Sequence, residues 1–129
     1  FYETPYSITK HLFSVEKFDR DKICLEPACG NLAIVRVLFD HFDDVRFYDL
    51  EKDFLTETRY YDYVITNPPY SLAYEFVLKA KQVCNKFAFL LPLSYLHGKK
   101  RFDNVYQDTE FRLKSVCVFT RYPLLGEPL

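Results

Sequence analysis

The chain has 129 residues and a mass of 15.4 kDa, the size of one compact domain. With 49% apolar and 27% charged residues it is neither disordered nor membrane-spanning, since no apolar run approaches the roughly 18 residues a bilayer requires. A net charge of −1 excludes a globally basic nucleic-acid binder, but residues 1–75 carry 8 basic and 14 acidic residues (−6) and residues 76–129 carry 9 and 4 (+5), which allows a local basic face in the second half.

The first element expected is a helix. Ser7 is its plausible cap, and Ile8, Leu12 and Val15 follow at spacings of four and three, which is one helical face. Residues 22–26 (KICLE) read as a buried strand, and residues 32–42 as a helix packed on a sheet. Residues 45–48 form a second strand that ends on Asp49, and residues 61–66 (YDYVIT) a third. Residues 71–83 read as an amphipathic helix with Leu72, Phe76, Val77 and Ala80 on one side. A fourth strand is expected over residues 86–91, stopped by Pro92, and a fifth over residues 115–120. Strands alternating with helices imply parallel pairing, an α/β class, and ligands held outside the carboxyl ends of the strands.

Composition adds further bounds. The four cysteines (Cys24, Cys29, Cys84, Cys117) form no CxxC pair and read as buried free thiols of a reducing compartment. His11, His41 and His97 are scattered, so no metal site is expected. Only 3 glycines occur, against about 9 at average usage, so any cofactor loop must work with little glycine. Methionine is absent and the chain opens on Phe1, so a parent chain that is longer, trimmed or gapped is expected.

Three sequence positions carry chemistry. Glu26-Pro27-Ala28-Cys29-Gly30-Asn31 ends the first strand and enters a helix. Backbone amides there can bind a carboxylate, and the acid can bind an ammonium or hydroxyl group; the alternative is a plain turn. Asp49, at the end of the second strand, is placed to accept from ribose hydroxyls, or is a solvated loop acid. Asp53 and Phe54 suit an exocyclic amine and a flat ring, or are a surface acid beside a core aromatic.

The sharpest feature is Asn67-Pro68-Pro69-Tyr70, after the third strand. Two prolines remove two backbone donors and stiffen the turn, so the Asn67 amide oxygen and the Pro68 carbonyl can both point outward. Two fixed acceptors suit an amino group with two hydrogens. Holding those hydrogens draws the nitrogen out of conjugation and frees its lone pair. Tyr70 offers a face for stacking on the same planar substrate.

On these residues the chain resembles the S-adenosylmethionine-dependent amino-methyltransferases of the DNA adenine-N6 type, clearly from Tyr2 to about Leu93. Tyr2-Glu3-Thr4-Pro5 is similar to the family's N-terminal motif beside the methionine part of the cofactor. Residues 26–31 resemble its cofactor loop, Asp49 its ribose-binding acid, and Asp53-Phe54 the pair that holds the cofactor adenine. Residues 67–70 match its catalytic tetrad, and Phe87 to Leu93 (FAFLLPL) the strand that follows.

The resemblance implies a Rossmann-like methyltransferase core over residues 1–129, mostly parallel, with helices on both faces, incomplete at the C-terminus and lacking a separate target-recognition domain. It implies S-adenosylmethionine as methyl donor and DNA as partner, a base flipped out of the duplex, a separate specificity region or subunit, and a cytoplasmic bacterial or phage protein of the restriction-modification kind. Phosphate contacts are expected from Lys99, Lys100 and Arg101, a run that could equally be a solvated loop, and from Arg121; Phe119 and Tyr122 are further stacking candidates for which packing is the favoured reading.

Two departures stand out. Leu32 occupies a position where the family has glycine, and its side chain is expected to crowd the cofactor. Only three residues separate Asp49 from Asp53, where the family has room for a helix and a strand. Other amine substrates (RNA adenine, DNA cytosine N4, a protein glutamine) are the alternatives within the chemistry. A non-catalytic, nucleic-acid-binding subunit is the alternative outside it.

Overall fold

The computed structural model describes residues 3–49, 53–96 and 114–116. Helix α1 (Tyr6–Val15) leads to strand β1 (Ile23–Glu26), helix α2 (Ala33–Leu38) and strand β2 (Asp44–Phe47). Strand β3 (Tyr61–Thr66), helix α3 (Ala73–Val83) and strand β4 (Cys84–Phe89) follow. The sheet runs β2-β1-β3-β4 and every pair is parallel. The α/β reading therefore holds, with β1 and β3 adjacent at the centre.

Alternation along the strands sends side chains to both faces. Leu25 and Val64 join Phe76, Ala80 and Val83 of α3 on one side. Cys24, Tyr63 and Ile65 join Ile34 and Leu38 of α2, with Leu12 and Phe13 of α1, on the other. Helices thus cover both faces, as a buried parallel sheet requires.

Several boundaries move. β3 has the expected bounds, because a continuous apolar run leaves a buried strand little freedom. β4 starts two residues early, since the Cys84 amide still bonds the Ala80 carbonyl of α3 while its backbone is already extended. Residues 32–42 form only six residues of α-helix, after which single turns carry the chain to the buried Phe42. Ser7 is not a cap: α1 starts at Tyr6 behind Pro5, and Ser7 Oγ has no hydrogen-bond partner among the described residues. Val15, at the helix end, is 48% exposed and leaves the apolar face to Ile8 and Leu12. Leu72 belongs to a short 3-10 turn, Tyr70–Leu72, ahead of α3 and is likewise exposed.

The fifth strand lies outside the described residues apart from Ser115 and Val116, which have no regular structure. Tyr2, Lys99, Lys100, Arg101, Phe119, Arg121 and Tyr122 also lie outside them. Among the described residues no helix is long and apolar enough to cross a membrane.

Candidate active site

β1 and β3 lie side by side, and their connections leave in opposite directions, to β2 on one flank and β4 on the other. That is the switch point where open parallel sheets leave a crevice beyond the strand ends. Glu26 is the last residue of β1 and Thr66 the last of β3. Thr66 Oγ1 donates to Glu26 Oε2 at 2.6 Å, and the Ala28 amide donates to the same oxygen at 2.7 Å. The loop after β1 is pinned to the residue after β2 as well, by Tyr48 N to the Glu26 carbonyl (3.2 Å) and Cys29 N to the Tyr48 carbonyl (3.1 Å).

A cleft of about 290 Å³, counted out to its open mouth, sits at this point. It is lined by Glu3, Thr4, Glu26, Ala28, Cys29, Asn31, Ala33, Ile34 and Asn67. The N-terminal segment, the loop after β1 and the first residue of the tetrad, far apart in sequence, therefore converge. Asn67 Nδ2 donates to Thr4 Oγ1 at 3.1 Å, which joins the first and last of these directly.

Glu26 is 1% exposed, and no cation partners it among the described residues. Burial pushes its carboxyl up to about 8, with the Asp49 charge adding to the rise. The Thr66 hydroxyl and Ala28 amide oppose that rise without cancelling it. Such an acid at a cleft wall calls for either a proton or a cation. Cys29, in the same wall, has its thiol raised by burial and by Asp49 and Glu26, so it is a poor nucleophile.

The tetrad keeps its turn. The Thr66 carbonyl takes the Leu90 amide and the Pro69 carbonyl takes the Leu72 amide, closing the 3-10 turn. The Pro68 carbonyl, between them, takes neither bond. Pro68 is buried, and Tyr70 is 43% exposed. Only Asn67 of the four lines the cleft.

Other expectations fall elsewhere. Pro27 is buried, and Gly30 (φ 46°) turns the loop without lining the cleft. Leu32 has φ 71°, so the left-handed backbone that glycine would tolerate is present, at a cost of about 1–2 kcal/mol for a leucine. Its side chain is not among those that line the cleft. Asp49 is exposed beyond β2, close enough to act on Glu26 and Cys29. Asp53 Oδ1 accepts from the Leu55 amide at 2.8 Å, and Phe54 is buried against Phe76. The pair is thus a turn cap and a core aromatic, and Phe54 offers no open face to a flat ligand.

Glu57 escaped the sequence reading. It is 3% exposed, with Oε1 accepting from the Tyr48 and Tyr61 hydroxyls (2.9 and 3.0 Å) and Oε2 from the Thr58 and Arg59 amides (3.1 and 3.2 Å). It stands in a loop without periodicity, and no short pattern betrays partners that come from two strand ends.

No protein-family model and no curated protein matches the chain. Solved structures do. One is a dimethyladenosine transferase from Plasmodium falciparum, with a TM-score of 0.53 and 15% identity over 86% of this chain and 49% of that one. Another is a Pyrococcus horikoshii protein described as an RNA methyltransferase, with a TM-score of 0.51 and 17% identity over 74% of this chain and 65% of that one. At these identities the likeness is one of fold: the chain has the Rossmann-like fold of methyltransferases. It spans about half the length of the first structure and under two thirds of the second.

Proposed function

We propose that the chain is the catalytic core of an S-adenosylmethionine-dependent N-methyltransferase acting on the exocyclic N6 amine of adenine in DNA. The observation that carries this reading is the placement of Asn67, first of the Asn-Pro-Pro-Tyr tetrad, in the wall of the cleft that Glu26 also lines, at the switch point of the sheet. The residues fit the cofactor's amino-acid end: a buried acid with no cation partner among the described residues suits its ammonium group. Asp49, exposed just beyond β2 and near enough to act on Glu26, is the residue this reading assigns to the ribose.

S-adenosylmethionine supplies an activated methyl group on a sulfonium sulfur. The chain supplies position and electrostatics. Asn67 Oδ1 and the Pro68 carbonyl accept the two amine hydrogens, and Tyr70 stacks on the base. With its lone pair freed from the ring, the amine nitrogen would take the methyl group directly, the methyl–sulfur bond breaking to leave a thioether, and would then release one of its protons to water; no enzyme nucleophile is needed. A base in duplex DNA must leave its stack to reach this turn.

A second reading, adenine in RNA, is favoured by the fold neighbours, one of them described as an RNA methyltransferase. Incubating the chain with labelled S-adenosylmethionine and either DNA or RNA, followed by nucleoside analysis, separates the two. Label in N6-methyldeoxyadenosine, lost in Asn67→Ala, is the expected result. Label only in RNA, or only in methylcytosine, overturns the DNA adenine reading.

A further inference from the structure

Among the described residues β2 is an edge of the sheet, with β1 on one side and no strand on the other. Only three residues separate Asp49 from Asp53, too few to turn outward and run back along β2. The direction of its backbone groups follows from its tie to the loop after β1. Tyr48 N–H donates to the Glu26 carbonyl and the Tyr48 carbonyl accepts from Cys29 N–H, so Tyr48 faces β1. Direction alternates along a strand, so Asp44 and Arg46 face β1 as well, and the N–H and C=O groups of Val45 and Phe47 point away from the sheet.

The side chains divide between the two faces. Val45 packs on the α2 face, and there Phe47 (43% exposed) meets Phe39 (52% exposed) edge-on, with ring centroids 6.1 Å apart. Asp44 and Arg46 lie on the other face, both about half-exposed, joined by Arg46 Nε to Asp44 Oδ1 (2.7 Å) and Arg46 Nη2 to Asp44 Oδ2 (3.0 Å). An exposed pair of this kind contributes little to one chain. It does hold both side chains in place, and the guanidinium keeps donors to spare.

A charged edge resists indiscriminate pairing, but these charges leave one pairing favourable. If a second copy adds its β2 antiparallel about a two-fold axis, an axis through Asp44 or Arg46 sets like charges face to face. An axis through Val45 sets Asp44 of each copy opposite Arg46 of the other. Val45 then faces the second copy's Val45 as a hydrogen-bonded pair, because its free N–H and C=O point outward. The charged residues become the non-hydrogen-bonded pairs, in which opposed side chains come closest.

We propose that β2 is a self-association edge: two copies of this chain pair β2 antiparallel about an axis through Val45, closed by two reciprocal Asp44–Arg46 contacts. Such an interface is isologous, and the two clefts then open at opposite ends of the joined sheet. The proposal does not depend on the methyltransferase reading.

The test is sedimentation equilibrium of the whole chain over a concentration series up to about 1 mM. The wild type should reach a dimer. Asp44→Arg and Arg46→Asp each set like charges across the axis and should weaken the dimer at least about tenfold. The double variant Asp44→Arg/Arg46→Asp restores opposite charges and should recover it to within about threefold. Urea unfolding checks that each variant is folded. Amide hydrogen exchange of the wild type gives a second reading that needs no variant: Val45 and Phe47 should be protected in concentrated and not in dilute solution, while Arg46 is unchanged. A chain that stays monomeric to the top of the series would overturn the proposal. A dimer that both single reversals leave intact would place the interface elsewhere, and a folded double variant that stays monomeric would overturn the Val45 register. Exchange at Val45 and Phe47 that ignores concentration would overturn it as well.

Discussion

Glu26 and Glu57 are both buried carboxylates of this small domain, and their surroundings differ in kind. Glu57 takes two phenols on one oxygen and two backbone amides on the other. Glu26 concentrates its bonds on Oε2, from Thr66 and Ala28, and its residue lines the cleft. A saturated carboxylate holds a loop in place. One left half-satisfied at a cleft wall is costly to the fold and useful to a ligand. Glu57 occupies the short stretch between β2 and β3, and its ties to Tyr48 and Tyr61 join the ends of those two strands. A short connection can thus be held by a buried carboxylate where a longer one would use packed elements.

The contrast can be broken at several points. The largest effect belongs to the cleft: Asn67→Ala should lower methyl transfer about 100- to 1,000-fold, as expected for loss of an electrostatic contact to the reacting group. Its unfolding free energy in urea should stay within about 1 kcal/mol of the wild-type value, since Asn67 contributes one part-buried hydrogen bond. Glu57→Ala should do the reverse in kind. It removes the shared acceptor of two phenols and two backbone amides, of which only the Tyr61 hydroxyl is fully buried, and should cost about 2 kcal/mol in denaturant unfolding. A cost under about 1 kcal/mol would show that the two acids are not different in the way described.

The pH dependence sharpens the same contrast. Burial lifts the Glu26 carboxyl from 4.5 to about 8, so across that interval the folded chain keeps a proton that the unfolded chain has released. Its contribution to stability is therefore full below about 4.5 and is lost as the pH rises through about 8. Urea unfolding from pH 5 to 9 should show this decline, and Glu26→Gln should flatten it. A decline unchanged in Glu26→Gln would assign it to another group. The smallest effect is at Leu32. Leu32→Gly removes the left-handed strain and should raise stability by up to about 1 kcal/mol, leaving ligand affinity unchanged because the side chain is outside the cleft. A gain in affinity would restore the crowding that its sequence position suggested.

Much of the framework was legible because it rests on patterns with a period. The apolar run of β3 and the apolar side of α3 appear where expected, and the Asn-Pro-Pro-Tyr turn lies between them. Leu32 stood out in the sequence as a side chain where glycine was expected, but its positive φ was not foreseen. Nor was the direction of its side chain, since that depends on how α2 leaves the loop. Ser7 failed as a cap because Pro5 lets the helix begin two residues earlier, a local competition that composition does not rank. Phe54 had two readings, and packing against Phe76 across the α3 face decided for the core. The Thr4–Asn67 contact and the Glu57 cluster join residues that only the folded sheet brings together.

The most direct measurement is a calorimetric titration of S-adenosylmethionine into the chain, repeated on Glu26→Ala and on Glu57→Gln. A one-to-one binding heat in the wild type, lost in Glu26→Ala and kept in a folded Glu57→Gln, is the expected result. No heat from a folded wild-type chain, or equal binding by wild type and Glu26→Ala, would contradict the assignment of the β1–β3 cleft as the cofactor site.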